Sequence, residues 1–263
     1  MAIGTKSGKI VTLTTDWKQH DIYIGNIKGR LLSNCPGISV IDLAHNVPSF
    51  NIQHASFIVS YGFSNFPTGT IHLVMVNSEA VASPKLLVTE HSGHVFVVSD
   101  NGIIGLLFDP LPDKVIGVNI AAHGGFASLD GFVNTVIALY NGHGIESLGE
   151  ITTDYLVKRN YRATVGNSFI QGNIIYFDSY SNAITNISKS LFDKVGNGRN
   201  YNILVQSNYN RIDKLSKTYQ EVKEGELLAL FNSFNLLEIA IRNGYAAEML
   251  SLNVGGSVSV VFT

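Results

Sequence analysis

Two aspartates, Asp16 and Asp21, follow closely on a β-branched apolar run at residues 10–13. A carboxylate can accept two hydrogen bonds at once, which suits the paired hydroxyls of a sugar. In an open α/β sheet, ligands bind in the crevice outside the carboxyl ends of the strands. Asp16 falls there if residues 10–13 form a first strand. Aspartate is also a common helix N-cap, and this stretch alone leaves the two roles level. The run ends at Thr14-Thr15-Asp16, a polar turn carries Asp21, and an amphipathic segment with Ile22, Ile24, Ile27 and Leu31 comes next. The pattern reads as strand, acidic loop, helix.

The elements that would position such a loop alternate through the first half. Residues 38–42 read as a second strand. Residues 51–61 read as a helix with Ile52, Ala55, Ile58 and Val59 on one face, stopped by Gly62 and Pro67. Residues 70–76 are almost continuously apolar, as in a parallel strand covered on both faces. Strands at 86–89 and 95–98 flank a turn whose Ser92-Gly93 suits a hairpin, and a further helix is expected at 131–140. The expectation is an α/β layer architecture. From residue 172 the chain turns to short β-rich runs at 173–177, 183–187, 201–205, 226–231, 237–241 and 257–262, which suggests a small β-barrel or sandwich. The domains expected are 1–155 and 168–263, joined by a polar linker at 156–167.

The 263 residues are 45% hydrophobic, enough for a sizeable core. Charged residues make up only 14%, below the usual ~25%, so an oligomer whose subunits cover one another is expected. The formal net charge of -2 and scattered basic residues argue against a nucleic-acid surface. The single cysteine, Cys35, allows no intramolecular disulfide and no cysteine metal cluster, and a buried structural thiol is expected. No metal site is expected. Residues 1–9 lack a signal-peptide core and no apolar run approaches the ~20 residues of a membrane span, so the cytoplasm is the default location.

Several motifs occur in an order that resembles the S-adenosyl-L-methionine hydrolase (hydroxide adenosyltransferase) family, relatives of the fluorinase and chlorinase. They are Thr15-Asp16 with Asp21 and Ile24-Gly25-x-x-Lys28-Gly29; Ile41-Asp42-x-x-His45-x-x-Pro48-x-Phe50; Phe66-Pro67-x-Gly69-Thr70; and Asp100-Asn101-Gly102. Later come Asp178-x-x-x-Asn182-x-Ile184-Thr185-Asn186-Ile187 and Asn232-Ser233-x-x-Leu236-Leu237-Glu238-Ile239-Ala240. The resemblance implies an N-terminal αβα sandwich with a largely parallel sheet and a small C-terminal β-barrel. It also implies a homotrimer with an adenosyl ligand held at subunit interfaces, and no cofactor beyond that ligand. Carried over, Asp16 would hold the ribose diol, with Asp21 on the same loop, and Phe50 would lie beside the ligand. Asp178 would meet the methionine ammonium, Asn182 the adenine edge, and Ser233, beside Asn232, the amino-acid carboxylate. Tyr180 and Tyr219 would face the purine. Taken singly, Asn182 is also a plausible turn residue, Tyr180 ordinary core, and Ser233 a bond to its own backbone.

The chain departs from this family where water is activated. Asn77 stands in place of an aspartate, Pro84 of an arginine and Ala127 of a histidine. Asn77 and Ser128 remain candidate ligand contacts, since Ser128 falls where the fluorinase has a serine near its halide. The catalytic residues stay open, and substitutes for the lost groups are few: Ser128, Lys85 for the arginine charge, although it lacks the planar fork, His123 nearby, and Glu79 as a base on the same loop as Asn77. An exposed glutamate and a solvated loop histidine are the plainer readings. Three functions are therefore open. The preferred one is a divergent hydrolase releasing adenosine and L-methionine by water attack at the ribose 5′ carbon. The others are a non-catalytic adenosyl-ligand-binding protein and, below both, a halide-dependent adenosyl transferase.

Overall fold

The computed structural model describes residues 9–80, 85–120 and 125–263. The chain divides into two compact units, Met1–Asn160 and Tyr161–Thr263, so the boundary falls inside the polar stretch 156–167.

The first unit is built on β1 (Ile10–Thr15), α1 (Ile22–Asn34), β2 (Ser39–Ala44), α2 (Ile52–Gly62), β3 (Ile71–Met75), β4 (Lys85–His91), β5 (His94–Ser99), α3 (Ile104–Leu107), β6 (Ile116–Asn119), α4 (Ala127–Tyr140) and β7 (Glu150–Ile151). Its seven strands form one mixed sheet in the order β2-β1-β3-β5-β4-β6-β7. The first four strands are parallel, and β4, β6 and β7 join antiparallel. Strand alternation explains the layers, because successive side chains point to opposite faces. Leu73 and Met75 pack with Ile27 and Leu31 of α1 and Phe132 and Val136 of α4. Val74 and Phe96 pack on the other face with Ile52 and Val59 of α2 and Ile104 of α3. This is the expected αβα sandwich. At the β4–β5 hairpin, Ser92 (φ 50) and Gly93 (φ 78) both take the positive φ that a type I′ turn requires. Cys35 is fully buried in the α1 layer.

Helix α4 starts about one turn earlier than the local pattern suggests. Its N-cap, Phe126, has no side-chain cap, but Glu79 from the loop after β3 accepts the Ser128 amide at 2.9 Å. A carboxylate at a helix N-terminus satisfies an orphan donor and suits the helix dipole. Between β1, β3 and β5 lies a buried polar line. The Thr12 hydroxyl is 2.7 Å from His72 Nδ1, and His72 Nε2 is 3.1 Å from His94 Nδ1. Phe63 and Phe96 enclose the two rings, and burial lowers the His72 pKa from 6.5 to about 4, with the charge of His94 adding to it.

The second unit comprises β8 (Thr164–Val165), β9 (Phe169–Phe177), β10 (Ala183–Ser188), α5 (Lys189–Gly196), β11 (Tyr201–Val205), β12 (Ser207–Ile212), β13 (Leu227–Phe231), β14 (Leu236–Ile241), α6 (Ala246–Met249) and β15 (Ser257–Phe262). The sheet is antiparallel, in the order β12-β11-β15-β9-β10-β14-β13, with β8 on β9. Just past β12, Leu215 bridges to Ala229 of β13, and the Ser216 amide donates to Ala229 O at 2.8 Å. These contacts draw the two ends of the sheet together into a nearly closed barrel. Its core combines Ile170, Ile187, Ile203, Leu237 and Val260 with Phe192 from α5.

Candidate functional site

Asp16 lies at the carboxyl end of β1, between neighbours β2 and β3. It does not cap α1: the cap is Asp21, whose Oδ1 accepts the Tyr23 amide at 3.0 Å. Asp16 Oδ2 instead accepts the amides of Phe50 (2.8 Å) and Asn77 (3.2 Å). Both residues hold positive φ, 66° and 50°, a region costly for a phenylalanine and tolerated by an asparagine. One carboxylate oxygen thus fixes two strained loops where the three strands end, and places Phe50, 72% exposed, at the rim.

A second network stands behind this loop. Thr15 Oγ1 is 2.9 Å from His45 Nδ1, and His45 Nε2 is 2.9 Å from Asp42 Oδ1, while Lys28 donates to Asp42 Oδ2 at 2.7 Å. Burial works to raise the Asp42 pKa, but the hydrogen bond from Lys28 and the close approach of the His45 ring outweigh it and hold the carboxyl below its ordinary value. Asn101 completes the frame. Its amide donates to Val76 O (2.8 Å) and Asn77 O (3.2 Å), and its Oδ1 accepts the Ile103 amide at 3.1 Å. Trp17, Tyr23 and Phe126 form an edge-to-face trio with centroids 5.2 to 6.0 Å apart. It joins the Asp16 loop to the start of α4, a placement that local spacing gives no hint of.

The positions that depart from the family pattern are arranged as follows. Ala127 is the buried first residue of α4, and Ser128 beside it is fully buried, with no partner for its hydroxyl among the described residues. Glu79, bonded to the Ser128 amide, is the carboxylate set next to position 127. Lys85 is committed elsewhere: it donates to Asp154 O at 2.6 Å and pairs with Asp100 at 3.5 Å. Pro84 and His123 lie outside the described residues.

In the second unit, Asp178, Tyr180, Asn182 and Tyr219 line one cavity of about 560 Å³. Asp178 organises its own loop: Oδ1 accepts the amides of Tyr180 (2.9 Å) and Asn182 (2.8 Å), and Oδ2 accepts Asn182 Nδ2 at 3.0 Å. Tyr180 is 73% exposed, so it is a free aromatic face and not barrel core. The remaining wall is Gln220 and the run from Ile241 to Tyr245. No motif marks this run in the sequence, although Asn243-Gly244 is a turn signal and Asn243 does hold φ 53. Tyr245 is 57% exposed and adds a third phenol ring. Asn232 and Ser233 are not among the lining residues. Asn232 Oδ1 instead accepts the amides of Phe234 (3.0 Å) and Leu236 (3.2 Å) in the β13–β14 turn, with Ser233 exposed on it. Burial, and then the hydrogen bond to Glu238, push the Tyr219 phenol well above its usual range. Among the described residues no three His, Cys, Asp or Glu side chains converge to hold a metal, and no helix is long and apolar enough to cross a membrane.

The chain is thus a two-unit protein: a mixed α/β sheet with Asp16 at its strand ends, and an antiparallel barrel with a tyrosine-lined cavity. The family comparison makes this specific. Residues 11–149 match the SAM hydroxide adenosyltransferase N-terminal domain and residues 172–259 the C-terminal domain, and the chain belongs to this family. Two relatives are named (R)-S-adenosyl-L-methionine hydrolase. The one from Methanocaldococcus jannaschii is 26% identical over 96% of both chains. The one from Thermus thermophilus is 27% identical over 95% of this chain and 99% of its own. Among solved structures, an uncharacterised conserved protein from Thermotoga maritima matches with a TM-score of 0.84 at 25% identity, covering 96% of this chain and 99% of that one. A conserved hypothetical protein from Thermus thermophilus matches with a TM-score of 0.77 at 25% identity, covering 97% of this chain and 100% of that one.

Proposed function

We propose that this protein binds S-adenosyl-L-methionine and hydrolyses it to adenosine and L-methionine. The observation that carries this reading is the family match across both halves of the chain, with two relatives named as hydrolases aligned along nearly its whole length. In the reaction a water oxygen bonds to the ribose 5′ carbon as the carbon–sulfur bond breaks. The bonding pair passes to sulfur, the sulfonium becomes the neutral thioether of methionine, and the water gives up one proton.

Asp16 takes the ribose diol, held by the Phe50 and Asn77 amides so that it need not reorganise on binding. Phe50 covers the sugar, and Tyr180 and Tyr219 stack on the purine. Asn182 meets the adenine edge, Asp178 the ammonium, and the Asn232-Ser233 turn the carboxylate. Asn77 and Ala127 cannot accept a proton, and we assign that step to Glu79, which is held beside position 127. General-base help is worth roughly 10²–10⁴-fold, while positioning and desolvation remain without it. The same reading has a cytoplasmic homotrimer with no resident cofactor. The association of subunits is supported by the low charge and the exposure of Phe50 and Tyr180, aromatic faces suited to being covered by a ligand or a neighbouring subunit.

A second reading, a non-catalytic adenosyl-ligand-binding protein, draws on Asn77 and Ala127. Incubating purified protein with the substrate and following adenosine by chromatography separates the two. Adenosine above the buffer control is expected; ligand uptake in calorimetry with no adenosine released would establish the binder instead.

A further inference from the structure

Glu238 lies mid-strand in β14, where every residue is buried, and its own exposure is 2%. Among the described residues it is the only buried Asp or Glu. It sits opposite Ile184 of β10 and Leu230 of β13 in the barrel ladder. A carboxyl in such surroundings is costly unless both oxygens are bonded. Among the described residues each oxygen has one partner. The Tyr219 hydroxyl donates to Oε1 at 2.6 Å, and Asn232 Nδ2 donates to Oε2 at 3.1 Å.

These two donors belong to different segments. Tyr219 opens a single turn of 3-10 helix, Tyr219–Glu221, and forms a wall of the cavity. Asn232 opens the β13–β14 turn and spends its carbonyl oxygen on that turn's amides. One carboxyl therefore fixes both the aromatic wall and the turn that carries Ser233.

We propose that Glu238 is a positioning residue of the adenosyl site: by holding the Tyr219 phenol and the Asn232 amide it sets the aromatic wall and the Ser233 turn in the geometry that accepts the ligand. The proposal rests on reading the cavity as part of that site. A barrel staple with no bearing on ligand would make the same two bonds, so the test must read ligand affinity apart from stability. Glu238→Leu removes the acceptor for both Tyr219 and Asn232. Tyr219→Phe keeps the ring and removes only its hydroxyl, so it tests the link even where the Leu variant folds poorly.

Adenosine affinity is measured by calorimetry, and kcat and KM with S-adenosyl-L-methionine. Each single variant is expected to bind adenosine about tenfold more weakly, as for a lost charge-assisted hydrogen bond. KM should rise in step while kcat stays within about twofold, and the double variant should be little worse than the worse single one. Folded single variants with wild-type adenosine affinity, or losses that simply multiply in the double variant, would overturn the proposal. Wild-type protein that binds no adenosine would overturn the site reading as well, a result distinct from either.

Discussion

At the scale of single residues, Asp16 and Asp21 separate cleanly although their sequence settings look alike. Asp16 bonds two amides from distant loops, and Asp21 caps the helix next to it. Asp16→Ala is expected to weaken adenosine binding by about 1.5–3 kcal/mol, the range for charge-assisted hydrogen bonds; calorimetry at unchanged affinity would leave Asp16 as only a loop anchor. Glu79→Gln should lower kcat by roughly 10²-fold or more with KM nearly unchanged. A full-rate variant would remove Glu79 from the chemistry. Part of the local arrangement was legible because its residues sit in motifs with fixed internal spacing. Asp178 to Asn182 is one turn, so its two ends had to meet. Tyr245 and the Trp17, Tyr23, Phe126 trio were not legible, since their neighbours come from segments far apart in the chain. Lys85 looked available by sequence, and only the fold shows it occupied by Asp100 and Asp154.

At the scale of elements, the periodic segments were the readable ones. Residues 70–76 resolved into β3, buried along its whole length, and the Ser92-Gly93 turn sits where its chemistry demanded. Helix α1 buries Ile24, Ile27 and Leu31 of the expected stripe, whereas Ile22, its first residue, is 81% exposed. The first turn of α4 was not readable, because its capping carboxylate, Glu79, arrives from the loop after β3. Helix α5 was missed for another reason: it is short, and only Ser188 accepting the Leu191 amide at 3.2 Å marks its start. Asp21→Ala should cost about 1 kcal/mol of stability through the lost N-cap. Chemical denaturation should register that loss, and an unchanged midpoint would mean water replaces the cap.

At the scale of the whole molecule, the buried His72–His94 pair makes stability depend on pH. His72 titrates near 4 in the folded protein against 6.5 in a free chain. Between those values the unfolded chain holds the extra proton, so stability is complete above about pH 6.5 and is lost as pH falls toward 4. The loss attributable to His72 is about 3 kcal/mol. Denaturation midpoints across this range should show it, and His72→Gln, which does not titrate, should flatten the decline; an equally steep decline would place the effect elsewhere. The central claim is water attack at the ribose 5′ carbon, and it is tested most directly by a turnover in heavy-oxygen water with mass spectrometry of both products. The expected result is adenosine carrying one heavy oxygen at its 5′ hydroxyl alongside unlabelled L-methionine. Bound S-adenosyl-L-methionine recovered intact, or adenosine formed without the label, would contradict it.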